Sequence, residues 1–138
     1  MAKTDQRRRA ARPARSRAPK KTTKLPKQVE LAVRAAGDKQ AQDITVLDLR
    51  QAHGFTDYFV ICSGANSRQI HAIADAVTDA LAETGARPNH MEGYDKSEWV
   101  LVDYFDFIVH VFSPETRAFY GLERLWGEAD RVEIPAAT

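Results

Sequence analysis

The sequence predicts an α/β (or α+β) fold, a mixed sheet of about five strands with flanking helices. Segments with strand or helix periodicity follow one another in the order α-β-β-α-(β)-β-β-α. Strands that follow each other directly pair as antiparallel neighbours, whereas strands joined through a crossover helix run parallel. Both kinds of connection occur in this order, and 138 residues leave room for one domain. A mixed sheet is therefore expected.

The first part of the chain supplies one helix and two strands. Pro26 suits the first turn of a helix that ends near Gln40. Ile44–Leu49 alternates and is rich in β-branched residues, which predicts a strand. Tyr58–Cys62 is apolar throughout, as expected for a strand covered on both faces, and a turn at His53 and Gly54 separates the two.

The rest of the chain supplies a second helix, further strands and a last helix. Asn66 or Ser67 caps the second helix, and Gly85 ends it. Ser113 caps the last helix, with Pro114 in its first turn. The other predicted pieces are a weak strand at Arg87–Met91, a loop at Glu92–Ser97, strands at Trp99–Val102 and Phe107–Phe112 joined by Asp103–Asp106, an inner helix face of Phe119, Leu122, Leu125 and Trp126, and an extended piece at Val132–Ile134.

The charge is divided between two parts of the chain. Residues 1–24 carry ten Lys/Arg and one acid, a net charge of +9, whereas residues 25–138 carry a net charge of −8. The first part has only Ala and Met as apolar residues, too few to offset the entropy of ordering. We expect a disordered basic tail over 1–24 and a folded domain over 25–135. The tail is an inert extension, an arm that contacts RNA phosphates, or an organelle targeting peptide.

Several classes of protein are disfavoured. Cys62 is the single cysteine, so no internal disulfide can form, and its apolar surroundings indicate a core residue. The apolar runs are far shorter than the roughly 18 residues that span a bilayer. No apolar segment follows the basic residues, so a secretory signal is not expected. A cytoplasmic location is expected, with an organelle matrix as the alternative.

The segment Ser63–Arg68 raises the alternative of a nucleotide-binding or nucleotide-transferring enzyme. A strand that runs into Ser-Gly and a helix start presents backbone N–H groups to a phosphate. Nucleotidyltransferases also need two carboxylates one residue apart on the following strand to hold metal ions. That pair is missing, because Asp103 and Asp106 are three residues apart, and Asp43 and Asp48 are five apart. The sequence therefore predicts no catalytic residue, metal site or cofactor.

His110 and Arg117 stand at positions that their type does not favour. His110 falls in the middle of an apolar strand, either as a core histidine with a polar neighbour or on a sheet face with Trp99 or Asp103, in contact with a partner. Arg117 lies in the first turn of a helix, where a cation opposes the helix dipole. An ion pair with Glu115 or Asp103, or a partner contact, would explain it. Both faces of these strands are apolar, and an uncovered aromatic face indicates a partner site.

The motifs of residues 26–130 resemble those of the Iojap family, the ribosomal silencing factors. The resemblance is carried, in order and with matching spacing, by D-I-T-V-L-D-L at Asp43–Leu49, T-D-Y-F-V-I at Thr56–Ile61, S-G-A-N-S-R-Q at Ser63–Gln69, E-G at Glu92–Gly93, W-V-L-V-D-Y from Trp99, then V-H-V-F, R-x-F-Y and L-E-x-L-W. It implies a fold similar to nucleotidyltransferases without their catalytic carboxylates.

The resemblance also implies a binding function rather than catalysis. Family members attach to the large ribosomal subunit through its protein L-fourteen, block joining of the small subunit, and lower translation when nutrients are short. An acidic body suits such a basic partner. A homodimer that competes with docking is a further expectation. By position, the resemblance assigns the docking role to Glu92, Gly93, Lys96, Trp99, Leu101, Asp103, Tyr104 and His110, and in second rank to Arg117 and Tyr120.

Phe105 departs from the family pattern. Family members commonly have Gly at this turn, and Phe would be strained where positive φ is required. Either the turn type differs, or Phe105 adds an exposed aromatic ring to the site.

Overall fold

A computed structural model describes residues 25–52, 55–127 and 129–133. The tail predicted over 1–24 and the turn predicted at His53 and Gly54 lie outside the described residues. The elements, in chain order, are α1 Lys27–Asp38, β1 Gln42–Asp48, β2 Tyr58–Ser63, α2 Ser67–Ala82, β3 His90–Glu92, β4 Trp99–Asp103, β5 Phe107–Phe112, α3 Pro114–Tyr120, α4 Leu122–Leu125 and β6 Asp130–Glu133.

The predicted mixed sheet with flanking helices is confirmed. Its strand order is β3-β4-β5-β2-β1-β6, and among these described strands β2 and β5 pair in parallel while the other neighbours pair antiparallel. The sheet has six strands rather than about five, because the extended piece expected near the end pairs with β1 as β6. The weak strand expected at Arg87–Met91 is instead β3, displaced toward the following loop.

Helices α1 and α2 cover one face of the sheet, which we call the helix-covered face. Asn66 caps α2, because its Oδ1 accepts a hydrogen bond of 2.9 Å from the Gln69 N–H. Cys62 lies in this core, and complete burial raises the pKa of its thiol to about 12, as expected of a packing residue. The helices pack against alternate strand residues, among them Val46, Val60, Val100, Val102, Val109 and Val111.

The opposite face of the sheet, which we call the second face, is only partly covered. Leu122 of α4 is buried against it, and Trp126 meets the edge of the Phe59 ring at 5.8 Å. This cover lies over the middle and the β1 side of the sheet. The side chains of β3 and β4 on the second face are half-buried or exposed. The uncovered part of the sheet is therefore at its β3 edge.

The prediction of one continuous last helix with four inward residues is wrong. Gly121 adopts a left-handed conformation with φ of 55°, ends α3 and begins α4. A left-handed residue changes the phase of the helix, so residues on either side no longer share one face. Leu122 turns inward, whereas the Phe119 and Leu125 side chains are 77% and 71% exposed.

Candidate partner-binding surface

Strand register brings most of the predicted docking residues onto the second face. Glu92 pairs with Leu101, which in turn pairs with His110. Residues directly opposite each other in a sheet share a face. By the same rule the neighbouring rows, His90 with Asp103 and Trp99 with Phe112, lie on this face too. We call its uncovered part the open region, formed by the side chains of His90, Glu92, Trp99, Leu101 and Asp103.

Trp99 is the largest side chain of the open region, and it is half-buried among other rings. It stacks on Phe112 at a centroid distance of 4.9 Å and contacts Tyr120 of α3 at 4.8 Å. Tyr120 in turn meets the edge of the exposed Phe119 ring. The aromatic surface therefore continues from the sheet onto α3. The apolar periodicity predicted a core position for Phe119, so this extension was not expected from the sequence.

His110 lies beneath Trp99 rather than on the surface. Its side chain is buried, only 3% of the residue is exposed, and the Phe59 ring meets it edge-on at 4.5 Å. Its Nδ1 accepts a hydrogen bond of 3.0 Å from the indole Nε1–H of Trp99. A neutral imidazole that accepts at Nδ1 carries its proton on Nε2, and Nε2 has no hydrogen-bond partner among the described residues. Burial lowers the pKa of His110 to about 3, so the ring is neutral near pH 7.

The predicted partner contact of His110 is therefore replaced by a contact with Trp99. Of the two interpretations left open by the sequence, the structure places His110 in the core with a polar neighbour. That neighbour is itself a predicted docking residue.

Tyr104 does not belong to the open region. It follows β4 on the helix-covered face, where its ring stacks on Phe107 at 4.9 Å. Its buried hydroxyl has no hydrogen-bond partner in the part of the chain that the structure describes, and burial raises the pKa of Tyr104 to about 12. Strand alternation therefore turns the Tyr104 side chain to the opposite side of the sheet from Trp99, and this predicted docking residue is buried in the helix-covered core.

The loop between β3 and β4 is held by contacts that the sequence did not reveal. His71 of α2 bonds through Nε2 to the Tyr94 carbonyl oxygen at 2.6 Å and to the Ser97 hydroxyl at 2.7 Å. At Gly93 φ is 82°, and a Cβ there would collide with the Trp99 carbonyl oxygen, so only glycine fits. Lys96 is exposed at the tip of this fastened loop.

The turn at Phe105 combines positive φ with an exposed ring. Its φ is 73°, and the Asp106 N–H donates to the Tyr104 carbonyl at 2.9 Å, which closes a γ-turn around it. Thr56 Oγ1 donates to the Phe105 carbonyl at 2.7 Å, and Asp103 Oδ1 accepts from its N–H at 2.8 Å. The ring is 68% exposed. The turn therefore keeps a conformation that favours glycine and also displays an aromatic side chain.

Arg117 has a structural partner, but not the one expected. Its Nε donates to Glu123 Oε2 at 2.9 Å, and its Nη1 donates to the Ser63 hydroxyl at 3.0 Å. The expected partners, Glu115 and Asp103, are not involved. The Arg117 side chain is only 13% exposed. It connects α3 to Glu123 of α4, beyond the Gly121 bend, and to Ser63 at the end of β2.

Arg117 also reaches a shallow cavity of about 480 Å³ beside Ser63. Arg124 and Arg131 line the same cavity, together with Asp43 and Glu123. Within residues 25–52, 55–127 and 129–133, no three His, Cys, Asp or Glu side chains gather closely enough to hold a metal ion. None of the described helices has the length and apolar character needed to cross a membrane.

These features define an α/β domain whose six-stranded mixed sheet is covered by two helices on one face and left partly open on the other. The chain belongs to the ribosomal silencing factor family. The family model described as "Ribosomal silencing factor during starvation" matches residues 22–138. Ribosomal silencing factor RsfS of Bacillus subtilis is 42% identical over 106 residues, which are 77% of this chain and 90% of that protein.

A solved structure and two relatives from eukaryotes extend the comparison. The crystal structure of a Chromobacterium violaceum protein has a TM-score of 0.72 and 33% identity, over 82% of this chain and 91% of that one. The chloroplastic protein Iojap of Zea mays is 34% identical over 76% of this chain and 46% of its own length. The mouse protein named mitochondrial assembly of ribosomal large subunit protein 1 is 33% identical over 71% of this chain and 44% of its own length.

Proposed function

We propose that this protein is a non-enzymatic repressor of translation that binds the large ribosomal subunit through its open region. The docking partner is the subunit's protein L-fourteen. Bound there, the protein blocks joining of the small subunit and so lowers translation when nutrients are limiting. The observation that carries the proposal is the half-buried Trp99, which shares the uncovered part of the second face with Leu101 and with the acids Glu92 and Asp103.

The chemistry of the open region supports a basic protein partner. Trp99 and Leu101 provide an apolar centre, and aromatic residues carry much of the energy in protein interfaces. Glu92 and Asp103 lie on the same face, in a body with a net charge of −8 over residues 25–138. Complementary charge speeds encounter with a basic partner and disfavours acidic ones. Ribosomal proteins are typically basic, so such a surface fits them.

Family membership and the relatives' names support the ribosome as the target. Several relatives are named ribosomal silencing factors, and the mouse relative is named for assembly of the ribosomal large subunit. We place the protein in the cytoplasm, with an organelle matrix as the alternative. The basic residues of 1–24 add a contact to ribosomal RNA phosphates. A homodimer formed through the open region would compete with docking.

Co-sedimentation with purified large subunits tests the proposal. Trp99→Ala removes a central aromatic contact, so we expect its Kd to rise by roughly 30-fold. Glu92→Lys reverses a charge and is expected to slow association most at low salt. Met91→Ala is the control for Trp99→Ala, because Met91 lies on the neighbouring edge strand β3 and faces the other side of the sheet. Unchanged binding by both open-region variants would refute the surface.

A second candidate is nucleotide binding at Ser63–Arg68, and the observation that favours it is the cavity that Ser63 lines at the start of this segment. Three arginines line this cavity, and Ser63 contributes a hydroxyl to it. Calorimetric titration of the full chain with ATP, with and without Mg²⁺, separates the two candidates. Tight, Mg²⁺-dependent binding would support the nucleotide site. The docking proposal predicts no such binding, because a carboxylate pair on the following strand is missing.

A further inference from the structure

The orientation of Trp99 depends on a single directional contact. Its ring contacts with Phe112 and Tyr120 are made at interplanar angles of 30° and 46°. An indole turned over about its χ2 angle can still stack on Phe112 and meet Tyr120, because both faces of an aromatic ring carry the same quadrupole. The hydrogen bond from Nε1–H to His110 Nδ1 distinguishes the two flipped states. It directs the polar edge of the indole toward the sheet.

His110 is a costly residue at this buried position if packing alone is considered. Its buried Nε2–H has no acceptor within residues 25–52, 55–127 and 129–133, and an unsatisfied buried donor destabilises a fold. A phenylalanine ring would fill similar space between Phe59 and Phe112 without that donor. Packing therefore does not explain the imidazole. The Nδ1 acceptor is the feature that phenylalanine lacks.

We infer that His110 is a positioning residue that fixes the orientation of the Trp99 indole before the partner arrives. The link to binding rests on the proposed function of the open region, whereas the orientation of the indole does not. A preordered aromatic side chain loses less rotamer freedom on binding, which raises affinity without a new contact. His110 thus contributes to docking through Trp99, although no partner can reach its own ring.

Two substitutions separate the acceptor of His110 from its ring. His110→Asn keeps an acceptor oxygen close to the position of Nδ1 but removes most of the ring. His110→Phe keeps a ring of similar size but removes the acceptor. Both are made in a Trp126→Phe background, so that Trp99 is the sole tryptophan of the chain. Thermal unfolding of each variant confirms that it is folded.

The direct readout is the indole N–H signal of Trp99 in ¹H–¹⁵N NMR spectra of the free protein. In the background protein and in His110→Asn, we expect a single signal protected from exchange with water. In His110→Phe, we expect a shifted signal that exchanges more than about tenfold faster. We expect the affinity for large subunits to fall about fivefold in His110→Phe and to change less than about twofold in His110→Asn, as for loss of one hydrogen bond.

Each other outcome overturns a stated part of the inference. A protected indole N–H in His110→Phe would show that ring packing alone orients Trp99. Loss of protection in both variants would exclude the acceptor as the cause. If only His110→Phe loses protection but binds as well as the background, the link to docking fails. Failure of Trp99→Ala to weaken binding would overturn the proposed function, while the NMR comparison would still test the positioning role.

Discussion

The carboxylate of Asp103 holds the backbone of Phe105, because its Oδ1 accepts a hydrogen bond of 2.8 Å from the Phe105 N–H. Asp103 thus has a role within the chain, in addition to any contact that its open-region position offers. A charge reversal there would disturb the turn as well as the surface. Substitutions at Asp103 must therefore separate the hydrogen bond from the charge.

Asp103→Asn retains an acceptor oxygen but removes the charge, so it should keep the turn and weaken only charge-dependent docking. Asp103→Ala removes both, and we expect it to lower the free energy of unfolding by about 1 kcal/mol. Denaturant unfolding measures both variants. Asp106→Ala, in the same turn but without a side-chain hydrogen bond to lose, serves as the control and should change stability by less than about 0.5 kcal/mol. Equal destabilisation by Asp103→Ala and Asp106→Ala would contradict the assigned role.

Phe105→Gly should stabilise the isolated protein. A non-glycine residue at φ of 73° carries a strain of about 1–2 kcal/mol, which glycine relieves at the cost of greater freedom in the unfolded chain. We expect a net gain of about 0.5–1 kcal/mol in the free energy of unfolding. Phe105→Ala separates the ring from the backbone, because it removes the aromatic side chain but leaves the strain. If Phe105→Gly is no more stable than Phe105→Ala, the predicted backbone strain at residue 105 is contradicted.

The strands and their faces could be predicted from the sequence because alternation and periodicity depend on neighbouring residues along the chain. Tyr58–Ser63 and Phe107–Phe112 are buried at every position, and continuous apolar runs predicted both strands. Alternation also placed Trp99, Leu101 and Asp103 on one face and Tyr104 on the other, which the structure confirms. The family resemblance, applied by position, grouped Tyr104 with the docking residues, although its side chain lies on the other face of the sheet from Trp99.

What the sequence did not reveal depends on backbone conformation and on contacts between distant segments. The left-handed conformation of Gly121 changes the phase of the helix. The φ angle of a glycine within an apolar periodic segment cannot be read from the sequence pattern. Arg117 and Glu123 are six residues apart, a spacing that does not pair side chains on a continuous helix and does so here only across the bend. The contact of Trp99 with Tyr120 likewise required the position of α3.

The Arg117–Glu123 ion pair should contribute more to stability than a surface pair. Both side chains are largely buried, and Arg117 also donates to Ser63. Arg117→Ala leaves the Glu123 carboxylate without its partner, so we expect the free energy of unfolding to fall by about 2–3 kcal/mol. Glu115→Ala, an exposed acid in the first turn of the same helix, is the control, with an expected change below about 0.5 kcal/mol. Similar values for the two variants would show that the pair contributes little.

Because the imidazole of His110 is buried, we expect the free energy of unfolding to decrease as the pH is lowered. The decrease should be steeper in the wild type than in a variant that lacks this histidine. Burial lowers the pKa of His110 to about 3, whereas an imidazole in the unfolded chain titrates near 6.5. Between these values the unfolded state binds a proton that the folded state does not, so the free energy of unfolding decreases as the pH falls. Above about pH 7 neither state is protonated, and this contribution is absent. Its slope approaches about 1.4 kcal/mol per pH unit below pH 6.

Denaturant unfolding at pH 7.5, 6, 5 and 4.5 tests this prediction when wild type is compared with His110→Phe. Carboxylates titrate in both proteins, so the difference between their free energies of unfolding isolates the histidine. We expect this difference to shift against the wild type by about 1 kcal/mol per pH unit below pH 6. Parallel curves for wild type and His110→Phe would mean that His110 is protonated in the fold, and protonation of Nδ1 would also break its hydrogen bond with Trp99.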